Sequence, residues 1–217
     1  MPFDLPPVTR NLLIANVAVF LLQQVMGETL LVHFALWPWG ADQVAQAGDG
    51  SIVSVGFRVW QVVTYAFMHG GWTHLLFNMF ALYMFGGQIE RLFGTRNFLL
   101  YYFVCLIVAA LAQLAVVQWF TGGFYPTLGA SGAIFGLLLA FGMMYPHEKV
   151  MLMFLPIPMP AWLFVTGYAL VELLLGVTGT QAGVAHFAHL GGMLGGLVLI
   201  QYWRGKLPIK PQRRLWR

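Results

Sequence analysis

Long apolar runs broken by a few polar clusters organise this chain. The runs cover roughly residues 11–27, 73–93, 97–120, 129–145, 161–177 and 184–203. Each reaches about 17 residues or more, the length at which an α-helix crosses the ~30 Å hydrocarbon core of a bilayer. The pattern predicts six transmembrane helices in an all-α membrane protein. A single transmembrane domain is expected over residues 1–217, with a core at 11–203 and a basic, Pro-containing tail at 204–217. Pro146, Pro156, Pro158 and Pro160 stop the fourth helix and delay the fifth. No internal repeat is visible.

The connection between the first two runs, residues 28–72, has a different texture. It holds Glu28, Asp42, Asp49 and Arg58 together with Trp37, Trp39, Phe57, Trp60 and Trp72. Trp favours the membrane–water interface. The loop is therefore expected to lie half-immersed, with short amphipathic helices around 30–38 and 40–47.

Composition then sets the solvent. Of the 217 residues 59% are hydrophobic and 8% charged, where soluble domains carry about 25% charged residues. So little charge cannot cover a water-facing surface, and lipid takes its place. The formal net charge of +4 reads as an orientation signal rather than a nucleic-acid patch. If six spans alternate, Arg10, Arg91, Arg96, Lys149, Arg204, Lys206, Lys210, Arg213, Arg214 and Arg217 share one side, and only Arg58 lies on the other. By the positive-inside rule both termini are expected to be cytoplasmic, with the basic groups available to anionic lipid. No signal peptide is expected, since only Arg10 precedes the first run and no small-residue cleavage site follows it. Cys105 is the one cysteine, so no internal disulfide forms.

The topology gives the polar clusters a common depth. Spans two, four and six all enter from the outer side. His74 and, one turn deeper on the same face, Asn78 belong to the second. Ser131 opens the fourth, and His189 lies within about two turns of the start of the sixth. A lone serine before Gly132-x-x-x-Gly136 would be a packing residue, and a lone Asn78 interhelical glue. Intramembrane ionisable residues are costly and usually functional, and two histidines with a serine and an amide at one depth fit nucleophilic catalysis. Ser131 needs a base, which His189 can supply. The oxyanion of an acyl transfer needs donors. The Ser131 N–H, in a first helical turn, is one, and the His74 and Asn78 side chains are two more. Gly132, Gly136, Gly192 and Gly196 allow close helix approach.

These residues carry a resemblance to the rhomboid intramembrane serine proteases of the bacterial six-helix type. The chain shows Gly129-Ala-Ser131-Gly132, His74-x-x-x-Asn78, Ala188-His189-x-x-Gly192-x-x-x-Gly196 and Gly86-x-x-x-Glu90-x-x-x-Gly94, over about residues 58–203. The resemblance implies a rhomboid-like bundle and a Ser131–His189 dyad with no cofactor and no metal. It also implies a water-filled cavity opening to the extracytoplasmic side and transmembrane substrates cleaved in or near their spans. The fifth helix would serve as a lateral gate, and loops 120–128 or 178–183 would cover the site. The implied location is the inner (cytoplasmic) membrane of a bacterium; partners are substrate helices and the bilayer, without nucleic acid. The family's Trp-Arg in the first loop is here Trp60-Gln61, which puts that loop's usual anchoring in question. The glycine register selects His189 over His186 as the base, leaving His186 against a neighbouring helix. His69 and Glu90 are expected to be structural, Glu90 by capping backbone or holding the cytoplasmic turn. Glu172 is expected to be a protonated acid hydrogen-bonded inside the bundle or at the gate, so that Glu172→Gln keeps most activity; the competing reading is a third member that orients a histidine.

Other functions would need other features. A metal site could use His69, His74, His186 and His189, but no carboxylate neighbours them in sequence and no H-E-x-x-H occurs. A non-catalytic binder of transmembrane clients would be expected to lack the serine or the histidine. A transporter would show repeat symmetry or paired broken helices.

Overall fold

Each of the six apolar runs is helical in the computed structural model, which describes residues 5–40, 42–46, 50–152, 155–179 and 184–211. In chain order the elements are α1 (Pro7–Phe34), β1 (Gln43–Gln46), β2 (Ile52–Val55), α2 (Gln61–Thr64), α3 (Trp72–Ala81), α4 (Gly87–Phe93), α5 (Thr95–Val116), α6 (Ser131–Met144), β3 (Lys149–Leu152), β4 (Leu155–Pro160), α7 (Ala161–Thr178) and α8 (His186–Trp203). A π-helical turn, Leu82–Gly86, joins α3 to α4, and a second, Val117–Thr121, extends α5. Among the described residues three helices, Pro7–Phe34, Thr95–Thr121 and Ala161–Thr178, are long and apolar enough by themselves to cross a membrane.

The distribution of apolar side chains is that of a protein solvated by lipid. On α1 the buried residues are a narrow stripe, Thr9, Leu12, Asn16 and Phe20, at the three- and four-residue spacing of one helix face, and Leu30 beyond the kink. Ile14, Leu21, Leu22 and Val25 on the same helix are exposed. The centre of the bundle is α6, buried along nearly its whole length. It packs against α5, α7 and α8. At 14 residues α6 is about 21 Å long, short of the ~30 Å hydrocarbon core. One of its ends must therefore lie below the membrane surface, with loop backbone beside it.

Small residues let the three central helices meet. A Cβ on Gly132 would overlap Ala109 of α5, and one on Gly136 would overlap Cys105 of α5. A Cβ on Gly192 would overlap the carbonyl oxygen of Gly132, and one on Gly196 the hydroxyl of Tyr101. The expected two-helix contact is thus a three-helix junction, with α5 facing three of the four glycines. The Tyr101 hydroxyl donates to the Gly136 carbonyl at 2.7 Å.

The first loop departs from expectation. Residues 30–34 continue α1, which kinks at Met26 (φ −117°, ψ 26°), so no separate helix forms around 30–38. Around 40–47 the described residues form a strand instead: β1 pairs antiparallel with β2, Gln43 opposite Val55 and Gln46 opposite Ile52. The β-branched Ile52, Val53 and Val55 favour this extended ladder over a helix. Positions 41 and 47 of the expected helix lie outside the described residues. Among the described residues of the connection 146–160, β3 pairs antiparallel with β4.

Gln61 resolves the missing arginine of the first loop. It is fully buried at 0% exposure. Its Oε1 accepts from the backbone N–H of Trp37 (3.3 Å) and of Arg58 (3.0 Å). Its Nε2 donates to the carbonyls of Gly56 (3.2 Å) and His33 (3.4 Å), and Trp60 Nε1 donates to the same His33 carbonyl at 2.9 Å. A neutral amide with two acceptor and two donor sites therefore ties the end of α1 and the residues after it to the segment 56–58. Arg58 turns outward into a bidentate pair with Asp42, at 3.0 and 2.6 Å. The arginine beside it holds the exposed Asp42 carboxyl below its usual range. Gln61→Leu strands two backbone N–H groups and the Gly56 carbonyl, while the His33 carbonyl keeps its bond from Trp60; it is expected to cost about 3 kcal/mol, read as a lowered thermal midpoint of the full chain in detergent.

Glu90 organises the opposite end of the bundle. Its carboxylate, 1% exposed, accepts from the Val8 N–H (3.0 Å), the Thr9 N–H (2.7 Å) and the Thr9 hydroxyl (2.8 Å). These are first-turn N–H groups of α1 that no helical carbonyl reaches. The acid so caps α1 from α4, where the dipole favours a negative charge.

Candidate active site

The loop before α6 is held on two sides. Leu36 and Thr127 exchange backbone hydrogen bonds at 3.0 and 2.9 Å, and the Gly129 N–H donates to the Tyr65 carbonyl at 3.0 Å. Gly129 has φ +118°, a conformation that side-chain-bearing residues rarely adopt. It also faces His74: a Cβ there would sit 2.8 Å from the His74 Nε2. The family-like motif thus needs its first glycine for both conformation and space. Two residues later Ser131 opens α6, its N–H in the first turn and without a helical partner.

His189 reaches Ser131 from α8, with its Nε2 2.8 Å from the Ser131 Oγ. Phe135, one turn along α6, stacks flat on the imidazole at 4.2 Å between centroids and 5° between planes. The ring's other nitrogen, Nδ1, lies 2.8 Å from Glu172 Oε2 of α7. The same oxygen is 2.7 Å from His186 Nδ1. Four side chains from three helices, Ser131, His189, Glu172 and His186, are thereby linked in one chain of contacts.

His74 and Asn78 stand across the cavity on α3. The Gly70 N–H donates to His74 Nδ1 at 3.3 Å, which leaves the proton of the neutral ring on Nε2, the nitrogen beside Gly129. Asn78 Nδ2 donates to the His74 carbonyl at 2.8 Å, leaving its second N–H over. Both residues, with Ser131, His189 and Glu172, line a cavity of about 1200 Å³. Tyr65, Phe135 and Tyr168 supply part of its apolar wall.

The remaining expected site residues sit as follows. Gly132, Gly136, Gly192 and Gly196 lie in the three-helix junction below Ser131, and Glu90 lies in the middle of α4, at the opposite end of the bundle. His69 is outside the site. Its buried ring packs edge-on to Phe20 and to His74, 6.5 and 5.1 Å between centroids. Its backbone exchanges hydrogen bonds with the Gln23 side chain at 3.1 and 2.9 Å. Burial, and then the nearby His74, push its pKa down to about 4, so the ring is neutral at neutral pH. Of the loops expected to cover the site, Tyr125 to Leu128 line the cavity; most of 178–183 lies outside the described residues, as do 212–217 of the basic tail.

Glu172 has partners that the sequence did not name. It is hydrogen-bonded inside the bundle, as expected, but its partners are the two histidines of the site. The available signal was a carboxylate in an apolar helix at the depth of His189. Its ligand atom and those of His186 and His189 lie within 4.8 Å of one another, a donor set of the types zinc takes. His69 and His74 are not part of that trio.

A membrane-embedded helical bundle that holds a serine–histidine pair in a cavity between its helices is the class that fold and site define. The chain belongs to the rhomboid family: the Rhomboid domain model matches residues 56–205. It is 34% identical over 169 residues to the mitochondrial Rhomboid protein 1 of Saccharomyces cerevisiae, covering 71% of this chain and 44% of that protein. It is 31% identical over 150 residues to the rhomboid protease GluP of Bacillus subtilis, covering 69% and 27% of the two chains. To the rhomboid protease GlpG of Yersinia pestis it is 24% identical over 199 residues, covering 91% and 62%. The chain thus spans between about a quarter and three fifths of the length of these relatives.

Proposed function

We propose that this chain is an intramembrane serine endopeptidase that hydrolyses a peptide bond in or near the transmembrane segment of membrane-protein substrates, with Ser131 and His189 as its catalytic pair. The observation that carries the reading is the 2.8 Å approach of His189 Nε2 to the Ser131 Oγ. Relatives named rhomboid proteases support it.

The chemistry follows from the placement of donors and acceptors. The Ser131 Oγ attacks the substrate carbonyl carbon while its proton passes to His189 Nε2. The carbonyl oxygen becomes an oxyanion, met by the Ser131 N–H, His74 Nε2–H and the spare N–H of Asn78. Collapse expels the amine, which takes the proton from His189. Water then attacks the acyl-serine, giving a proton to His189; collapse expels the Ser131 oxygen, which takes that proton back, and the acid product leaves and loses its own proton to water to become the carboxylate.

Hydrolysis below the membrane surface needs water at depth. The shortness of α6 supports a wet cavity above its first turn, where unpaired backbone N–H groups would be costly in lipid. In the layout we favour, six crossings place both termini in the cytoplasm of a bacterial inner membrane, and the cavity opens to the extracytoplasmic side. The helix α7 is buried only at Ala161, Phe164, Val165 and Glu172, which suits a lateral gate for a substrate helix.

The test is cleavage of a single-span reporter by the full chain in proteoliposomes, with and without chelator. Cleavage near the outer end of the span, insensitive to chelator and lost in Ser131→Ala, is expected. Chelator-sensitive cleavage would replace the serine reading with a metal site at Glu172, His186 and His189. Binding without cleavage, and no reaction of Ser131 with a fluorophosphonate, would make the chain a client binder. His74→Ala removes one oxyanion donor and is expected to lower kcat about 10²–10³-fold with KM little changed, measured on the same reporter.

A further inference from the structure

We propose that Glu172 is the positioning residue of the catalytic base, a carboxylate on α7 that sets the tautomer and orientation of His189 through Nδ1; this rests on the serine–histidine reading above. The carboxyl is 4% exposed. Among the described residues its ion-pair partners are His186 and His189. A carboxylate is an acceptor only, and each oxygen has two lone pairs. Oε2 can therefore take both N–H groups, and both imidazoles must carry their proton on Nδ1. For neutral His189 that leaves the Nε2 lone pair on the side of Ser131, the tautomer a general base requires. When His189 accepts the serine proton, the adjacent carboxylate stabilises the imidazolium.

His186 has a distinct part. Its Nε2 is buried and finds no hydrogen-bond partner among the described residues. Its Nδ1–H holds Oε2 from a second direction, 14 residues along the chain from Glu172. Phe135 fixes the plane of His189, and Glu172 fixes rotation within that plane. Because the acid belongs to α7 and the base to α8, the arrangement holds only while α7 is seated. On this reading Glu172→Gln loses most activity, against the sequence-based expectation that it keeps most.

The experiment compares wild type, Glu172→Gln, Glu172→Asp and Ser131→Ala as full chains in proteoliposomes. Two readouts are taken: kcat and KM on the single-span reporter, and the rate at which a small fluorophosphonate labels Ser131, which needs no substrate helix to pass α7. Glu172→Gln is expected to lower kcat and the labelling rate together, by about 10²–10⁴-fold, with KM unchanged, and Glu172→Asp to recover part of both. Wild-type labelling by the Gln variant overturns the proposal. So does a fall in kcat with labelling intact, which would assign Glu172 to substrate passage. A wild type that does not label at Ser131 sinks the serine–histidine reading, and this one with it. Loss of wild-type labelling on chelation makes the trio a metal site and overturns it too. Where Glu172→Gln fails to fold, the ¹⁵N shifts of His189 in the wild type decide. A protonated Nδ1 with a bare Nε2 upholds the proposal; the opposite tautomer ends it.

Discussion

Ser131→Ala is expected to abolish reporter cleavage, lowering kcat by about 10⁴–10⁶-fold, the range seen when a serine nucleophile is removed and only binding and oxyanion donors remain. The fold should be untouched. Ser131 is the first residue of α6, and losing its hydroxyl costs a single hydrogen bond, that to His189. Alanine is the better helix former. His189→Ala should be as inactive but less stable. It leaves the buried Glu172 with His186 alone, and an under-compensated buried charge is strongly destabilising. Paired measurements of cleavage and thermal midpoint separate the two variants. If Ser131→Ala still cuts the reporter, the nucleophile has been misassigned.

Gly192→Ala is the second large effect, and it acts through packing. The added Cβ would overlap the carbonyl oxygen of Gly132 and crowd its carbonyl carbon and Cα. All three are backbone atoms of α6, so no rotamer change relieves the clash and the two helices must part. Overpacking of this kind costs about 1–3 kcal/mol or more. The Ser131–His189 contact bridges the same two helices only one turn away. A displacement on the order of 1 Å at the reacting groups costs roughly 10²-fold in rate. Gly192→Ala should thus lose most of its fluorophosphonate labelling even in the folded fraction. Gly195→Ala is the control, since its Cβ would meet the Val108 side chain on α5, nearest atom 2.9 Å away. Equal labelling of Ser131 in the Gly192 variant and the wild type would show that the helices accommodate the methyl elsewhere.

Both arguments use residues that were visible in the chain before its fold. The positions of the helices followed from apolar run length, because a helix that meets lipid needs no alternation and shows as an unbroken run. What run length could not show is where a helix yields to another geometry. The 28-residue span of α1 absorbs residues expected in a separate loop helix. Residues 43–46 pair as a strand because Ile52, Val53 and Val55 offer a ladder partner. That choice depends on a neighbour several residues away, and local periodicity does not encode it. Gln61 is similar: as a polar residue after Trp60 it looked like a lost anchor. Its four hydrogen bonds exist only because residues 33, 37, 56 and 58 converge on it.

The sequence by itself determined a lipid-solvated helical protein, the expectation that His74, Asn78, Ser131 and His189 share a depth, and the choice of Ser131 and His189 as a candidate pair. Composition, span parity and helical spacing are one-dimensional quantities, and the chain states them directly. Only the tertiary structure decided which side chains touch. It brought Glu172 of α7 against His186 and His189 of α8, stacked Phe135 on the base, turned His74 Nε2 toward Gly129, and divided the glycines among three helices rather than two. Those relations depend on the rotation of each helix about its axis and on its neighbours. In a lipid-facing bundle that rotation leaves little trace in the sequence, because apolar residues occupy the outer face as readily as the inner one.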